Sequence, residues 1–131
     1  MAGTIDSLNT IRLSPNDQPP FTVQLSIGGA LPYEWDLYLY RRQRSGWKIN
    51  FLGRGEGDAP VSLGELTARE LGGTILVWSL LAVKIDHEQL DVMVKASLRD
   101  SKKARYAVSQ KWSITEQHPR IYLSVHLERS A

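Results

Sequence analysis

Two crowded groups of positive charge are the first residues in this sequence that could do chemistry. Arg41, Arg42 and Arg44 gather with Lys48, and Arg99, Lys102, Lys103 and Arg105 form a second group. Guanidinium and ammonium groups at that density suit phosphate, an anionic glycan or an acidic protein surface. Beside the first group stand Tyr38 and Tyr40, which share one parity with Glu34, Asp36 and Arg42. Tyr122 and His126 share one parity near the C-terminus. Tyrosines among charges on one strand face have the composition of protein interfaces and sugar platforms. Glu34 and Asp36 place two carboxylates at period two. With His126 they would be the acid–base residues of an enzyme whose site is gathered from separate strands. The plainer alternatives are solvated hairpin tips whose charge guards strand edges, and aromatic cross-strand pairs.

Much other chemistry is excluded. The chain of 131 residues has no cysteine, which removes disulfide scaffolds, thiolate zinc sites, iron–sulfur centres and cysteine nucleophiles. There is no Gly-x-Ser-x-Gly and no Ser-x-x-Lys with its partner motifs. His87-Glu88-Gln89-Leu90-Asp91 begins like a zinc-protease helix but ends in Asp91, and it falls on a turn. Two ligands on one helical face are therefore missing. His87, His118 and His126 lie in separate segments. Leu52-Gly53-Arg54-Gly55-Glu56-Gly57-Asp58 suggests a phosphate-cradling loop, but the third glycine is misplaced and Glu56 and Asp58 would repel a pyrophosphate. These glycines read instead as a connection that needs positive φ. The sequence predicts no cofactor and no metal.

The elements that must position these residues are strands. Apolar residues alternate with polar ones over 21–27, 35–40, 47–51, 90–98, 106–114 and 121–127, the pattern of antiparallel strands with one face on a core. By that parity Trp35, Trp47, Ile49, Phe51, Trp78 and Trp112 are core residues. Residues 74–85 are apolar on both faces, as a central strand would be. A weaker strand falls within 4–14, and Pro15, Pro19 and Pro20 then forbid pairing. Tight turns are read at Arg44-Ser45-Gly46, Asp86-His87-Glu88, Asp100–Lys103 and Gln117-His118-Pro119. Ser62-Leu63-Gly64-Glu65 matches a capping box, which predicts a short helix ending at Gly72.

The expected fold is one domain over 1–131, an antiparallel β-sandwich of seven to eight strands with one short helix in a connection. A closed barrel is the alternative. Sixteen Lys and Arg face fourteen Asp and Glu, too mild a bias for binding driven by phosphate neutralisation, so nucleic acid is disfavoured. No apolar run reaches the roughly 20 residues of a transmembrane helix. No basic, apolar leader opens the sequence, so the expected location is the cytoplasm, or outside the cell without a classical signal peptide.

The absence of catalytic signatures leans against an enzyme. It favours a binding domain that uses an open sheet face or strand edge to hold a protein partner or a second copy of itself. The alternative is a carbohydrate- or anion-binding module on the tyrosine and arginine face and the basic tips. The residues expected to bind are Tyr38, Tyr40, Arg41, Arg42, Arg44, Lys102, Lys103, Arg105, Tyr122 and His126.

Overall fold

A computed structural model describes residues 9–28, 33–82, 89–103, 105–115 and 117–129. The described residues form nine strands and one helical turn. In chain order these are β1 (Thr10–Leu13), β2 (Thr22–Ile27), β3 (Tyr33–Gln43), β4 (Gly46–Glu56), β5 (Val61–Ser62), α1 (Ala68–Leu71), β6 (Thr74–Ala82), β7 (Gln89–Arg99), β8 (Arg105–Thr115) and β9 (Arg120–Arg129). They make two packed sheets and no closed barrel. One has five strands in the order β1-β9-β6-β3-β4, the other four in the order β5-β2-β7-β8. Only the β1–β9 pair is parallel.

The alternation sets the sandwich. Val23, Leu25 and Ile27 of β2 and Val92, Val94, Ala96 and Leu98 of β7 turn inward. They meet Trp35, Leu37 and Leu39 of β3, Leu76, Trp78 and Leu80 of β6, and Ile121, Leu123, Val125 and Leu127 of β9 in one apolar cluster. Each valine, leucine or isoleucine among them stabilises the fold by about 1.5–3 kcal/mol through removal from water. The doubly apolar segment is β6, third of the five strands. Its inner face carries Leu76, Trp78 and Leu80, while Ile75 and Val77 lie on the outer face by register with Tyr40 and Tyr38.

The structure differs from the sequence expectations in four places. The two-residue β5 pairs with β2 and adds a ninth strand. The capping box is Thr67 with Glu70: the Glu70 amide donates to Thr67 Oγ1 at 3.2 Å, and the Thr67 amide donates to Glu70 Oε1 at 3.1 Å. The earlier match at Ser62–Glu65 holds Gly64 at φ 66°. Glycine inside a helix costs about 0.5–1 kcal/mol relative to alanine, whereas the second match is followed by Ala68. Gly53 and Gly55 belong to strand β4, and only Gly57 of that segment turns through positive φ. The fourth difference is the parity of Trp47, Ile49 and Phe51, which face solvent (below). The turn expected at Asp86–Glu88 lies outside the described residues.

Candidate functional site

The β3–β4 hairpin turns through Arg44 and Ser45, and Gly46 at φ 130° supplies the backbone that a side chain resists. From this turn Arg42 pairs with Trp47, Tyr40 with Ile49 and Tyr38 with Phe51. The register then shifts: Leu37 pairs with Gly53, so Leu52 is one extra residue in β4. Such a bulge reverses which parity of the strand faces the core. Beyond it, Gly55 lies opposite Trp35, and a Cβ on Gly55 would come within 2.5 Å of the Trp35 ring. The absent side chain lets Trp35 fold over β4 and donate from Nε1 to the Gly57 carbonyl at 2.7 Å. On the hairpin side of the bulge the core-facing parity holds only Lys48 and Asn50, and the large apolar residues face out.

The result is an apolar outer surface on an edge strand. Trp47, Ile49 and Phe51 are 47 %, 54 % and 56 % exposed. Phe51 packs against Tyr38 with ring centroids 5.5 Å apart. Arg54 lies 5.9 Å over the Phe51 ring and donates from Nε to Asp36 at 2.6 Å. The outward rows continue across the sheet as Ile49–Tyr40–Ile75–His126 and Phe51–Tyr38–Val77–Ser124. Ile75 is 4 % exposed; its neighbours on this face cover it. Below them a polar depression of about 240 Å³ is lined by Asp36, Arg54, Ser79 and Arg120, with Arg120 donating to Ser79.

The expected binding residues divide accordingly. Tyr38 and Tyr40 are half-buried on this face, and Arg42 and Tyr122 are exposed on it. His126 is half-buried, its Nε2 enclosed with no hydrogen-bond partner among the described residues. Arg41 takes the opposite parity, its Nε likewise enclosed, while Arg44 is exposed at the turn. Glu34 and Asp36 share the outer face, but His126 lies two strands across from β3 and level with Tyr40. Strand geometry separates Asp36 from His126 by roughly 16 Å, so the three acid–base candidates do not converge.

Lys102, Lys103 and Arg105 are exposed at the β7–β8 tip. This tip is fixed by carboxylates: Asp100 accepts from the Gln18 amide at 2.9 Å and the Lys102 amide at 3.0 Å. Asp17 accepts from the Tyr106 hydroxyl at 2.6 Å and the Ser14 amide at 2.8 Å. The bond to Asp17, followed by burial, raises the Tyr106 pKa above its ordinary value of 10.0. Burial raises Tyr33 in the same way, and its hydroxyl donates to the Leu25 carbonyl. Both basic tips leave the same end of the sandwich, since β7 ends beside the loop that follows β1 and β3 ends level with the start of β6. They rise from opposite sides: β8 packs against β1 and β9, whereas β4 is the far edge of the five-stranded sheet.

Trp47, Ile49 and Phe51 are the surface residues the parity argument missed. Their signal was present in Phe51-Leu52, two adjacent apolar residues that break a period of two. Among the described residues no group of three His, Asp or Glu side chains is placed to hold a metal ion. No helix among them is long and apolar enough to cross a membrane. No protein-family model, no curated protein and no solved structure matches the chain.

Proposed function

We propose that this chain is a non-catalytic interaction domain. It binds a protein partner, or a second copy of itself, through the outer face of the five-stranded sheet and the open edge of β4. The observation that carries this reading is the row of Trp47, Ile49 and Phe51 on an edge strand. Edge strands offer unpaired N–H and C=O groups to any passing strand, and folds blunt them with shortness, charge or proline. The other three edges follow that rule. β1 has four residues and β5 two, and β8 carries Arg105 and Lys111 outward. Between Gly46 and Gly53 of β4 the single charged side chain is Lys48. An added strand would continue the backbone ladder of β4, and its side chains would meet the aromatic row, with Arg42 and Arg54 at the margins. Desolvated tryptophan, tyrosine and arginine side chains dominate binding energy at such surfaces.

Size-exclusion chromatography with light scattering over a concentration series, followed by partner capture, tests this reading. Ile49→Lys and Tyr40→Ala should each weaken the association found, with circular dichroism and unfolding midpoint unchanged. A monomer at every concentration discards self-association and leaves the partner. Capture unaffected by both substitutions discards the surface. A second reading draws on the outward Trp47 beside Arg42, since sugars stack on exposed indoles and bond to arginine. Binding on a glycan array that is lost in Trp47→Ala would favour it over the protein interface.

A further inference from the structure

The outer face of the four-stranded sheet carries a different chemistry. We infer that it holds a site for a tetrahedral oxyanion, the phosphate or sulfate group of a small-molecule ligand, between Arg99, Arg105 and Lys95. The register sets the residues. Thr22, Arg99 and Arg105 form one outward row across β2, β7 and β8. Gln24, Ser97 and Ala107 form the next, and Lys95 stands in the third, beside Ser26. These rows line an open depression of about 300 Å³ on the sheet surface.

Three features point to an anion. Arg99 and Arg105 are direct cross-strand partners, a position where like charges destabilise a sheet and an opposite charge would stabilise it. Neither they nor Lys95 make an ion pair among the described residues. Of the acids nearest in sequence, Asp91 accepts from the Ser113 hydroxyl at 2.6 Å, and Asp100 accepts backbone amides at the tip. The floor between the cations holds the Thr22 hydroxyl, the Ser97 hydroxyl, whose bond to the Gln24 carbonyl is long at 3.5 Å, and the small Ala107, which leaves room above β8. Two guanidinium forks bind phosphate or sulfate oxygens in paired hydrogen bonds, which a point charge does not do. The depression is larger than a bare ion and falls at the small end of ligand pockets, so the anion is the charged end of a molecule of monosaccharide size.

The site is on the opposite face from the aromatic surface, so either reading stands if the other fails. The test is a titration of the full chain followed by backbone amide NMR. Inorganic phosphate, inorganic sulfate and chloride are compared at matched ionic strength, then glucose 6-phosphate, glucose 6-sulfate and glucose. Saturable shifts confined to β2, β7 and β8 around Thr22, Ser97 and Arg105 are expected with both oxyanions and absent with chloride. The sugar esters should bind at least about tenfold tighter than the inorganic ions, as paired charged hydrogen bonds gain ring contacts. The better of the two esters identifies the source. Arg105→Gln should lower affinity by about tenfold or more. In anion-free buffer it should also raise the unfolding midpoint, because it removes the like-charge pair. Arg69→Gln, on the exposed side of α1, should change neither. Equal shifts with chloride, or oxyanion binding unchanged in Arg105→Gln, would overturn the proposal.

Discussion

β4 and β8 are the same object built with opposite polarity. Each is an eleven-residue edge strand, each the second arm of a hairpin. β8 turns Tyr106, Val108, Trp112 and Ile114 toward the core and Arg105, Ser109, Lys111 and Ser113 toward water. β4 turns Lys48, Asn50, Gly53 and Gly55 to its inner side and Trp47, Ile49 and Phe51 to water. The difference lies in what stands across the sandwich. β8 faces β1 and β9, so its apolar side has a partner layer. The inner side of β4 is filled over its second half by the Trp35 ring of the neighbouring strand. The apolar row left without a layer inside the fold is the feature on which the proposed interaction rests.

The same substitution made at both edges should give the largest difference between them. Ile114 is fully buried on β8 and Ile49 is 54 % exposed on β4. Ile114→Lys should cost about 4 kcal/mol or more, since it deletes core contacts and forces an ammonium group into apolar surroundings. Ile49→Lys should fall within about 0.5 kcal/mol of the parent, as surface substitutions do. Urea unfolding with both variants reads the difference directly. Equal losses would mean that Ile49 is a core residue and that the two edges are alike.

The next effect separates two glycines of β4. The Cβ of Gly55→Ala would meet Cζ2 of Trp35 at 2.5 Å, and that ring is buried. Overpacking of this kind costs about 1–3 kcal/mol. At Gly53 the added Cβ meets only Val61 methyl groups, at 3.9 Å and beyond. There the loss of chain freedom in the unfolded state should make Gly53→Ala neutral or stabilising by up to about 1 kcal/mol. Trp35 fluorescence should shift in the first variant and stay fixed in the second. The reverse order of stabilities would remove the account of why β4 has a glycine face.

How far the sequence could be read follows from the same two strands. Period two located β2, β3, β7, β8 and β9 because a single buried face writes its parity into every second residue, as in Val23, Leu25 and Ile27. The two-faced β6 was legible as a central strand because Ile75 and Val77 are covered from the outer side as well. Parity failed at β4 since one bulged residue, Leu52, inverts it, and the run 47–51 looks the same whichever way it faces. β5 was invisible because two residues carry no period and its position is set by backbone pairing with β2. Parity alone put Tyr38, Tyr40 and Arg42 on one outer face; Arg54 escaped because the glycine segment around it read as a connection, and Arg41 takes the opposite parity. The depression between Thr22, Arg99 and Arg105 was not legible, because it exists only once β2, β7 and β8 are side by side.

The smallest effect expected concerns the anchoring of β8, which β4 lacks. Tyr106 ties β8 to the loop after β1 through its bond to Asp17. Tyr106→Phe should cost about 1.5 kcal/mol near neutral pH, the low end for a hydrogen bond to a charged group, since one of the acceptor's partners, the Ser14 amide, remains. The pH dependence has a definite sign. The folded state holds the Tyr106 proton more tightly than the unfolded chain does, because the phenol donates to Asp17 and is partly buried. Its contribution is therefore complete below pH 10.0, the ordinary tyrosine value, and is lost as pH rises from there through the folded-state value. The parent should lose stability above about pH 10 more steeply than Tyr106→Phe. A residual slope from Tyr33, raised chiefly by burial, should persist in both. Urea midpoints measured from neutral pH to pH 11 or so give the two slopes. Parallel curves would show that the Tyr106 proton is not linked to folding, and the anchor would then be packing of the ring rather than its hydroxyl.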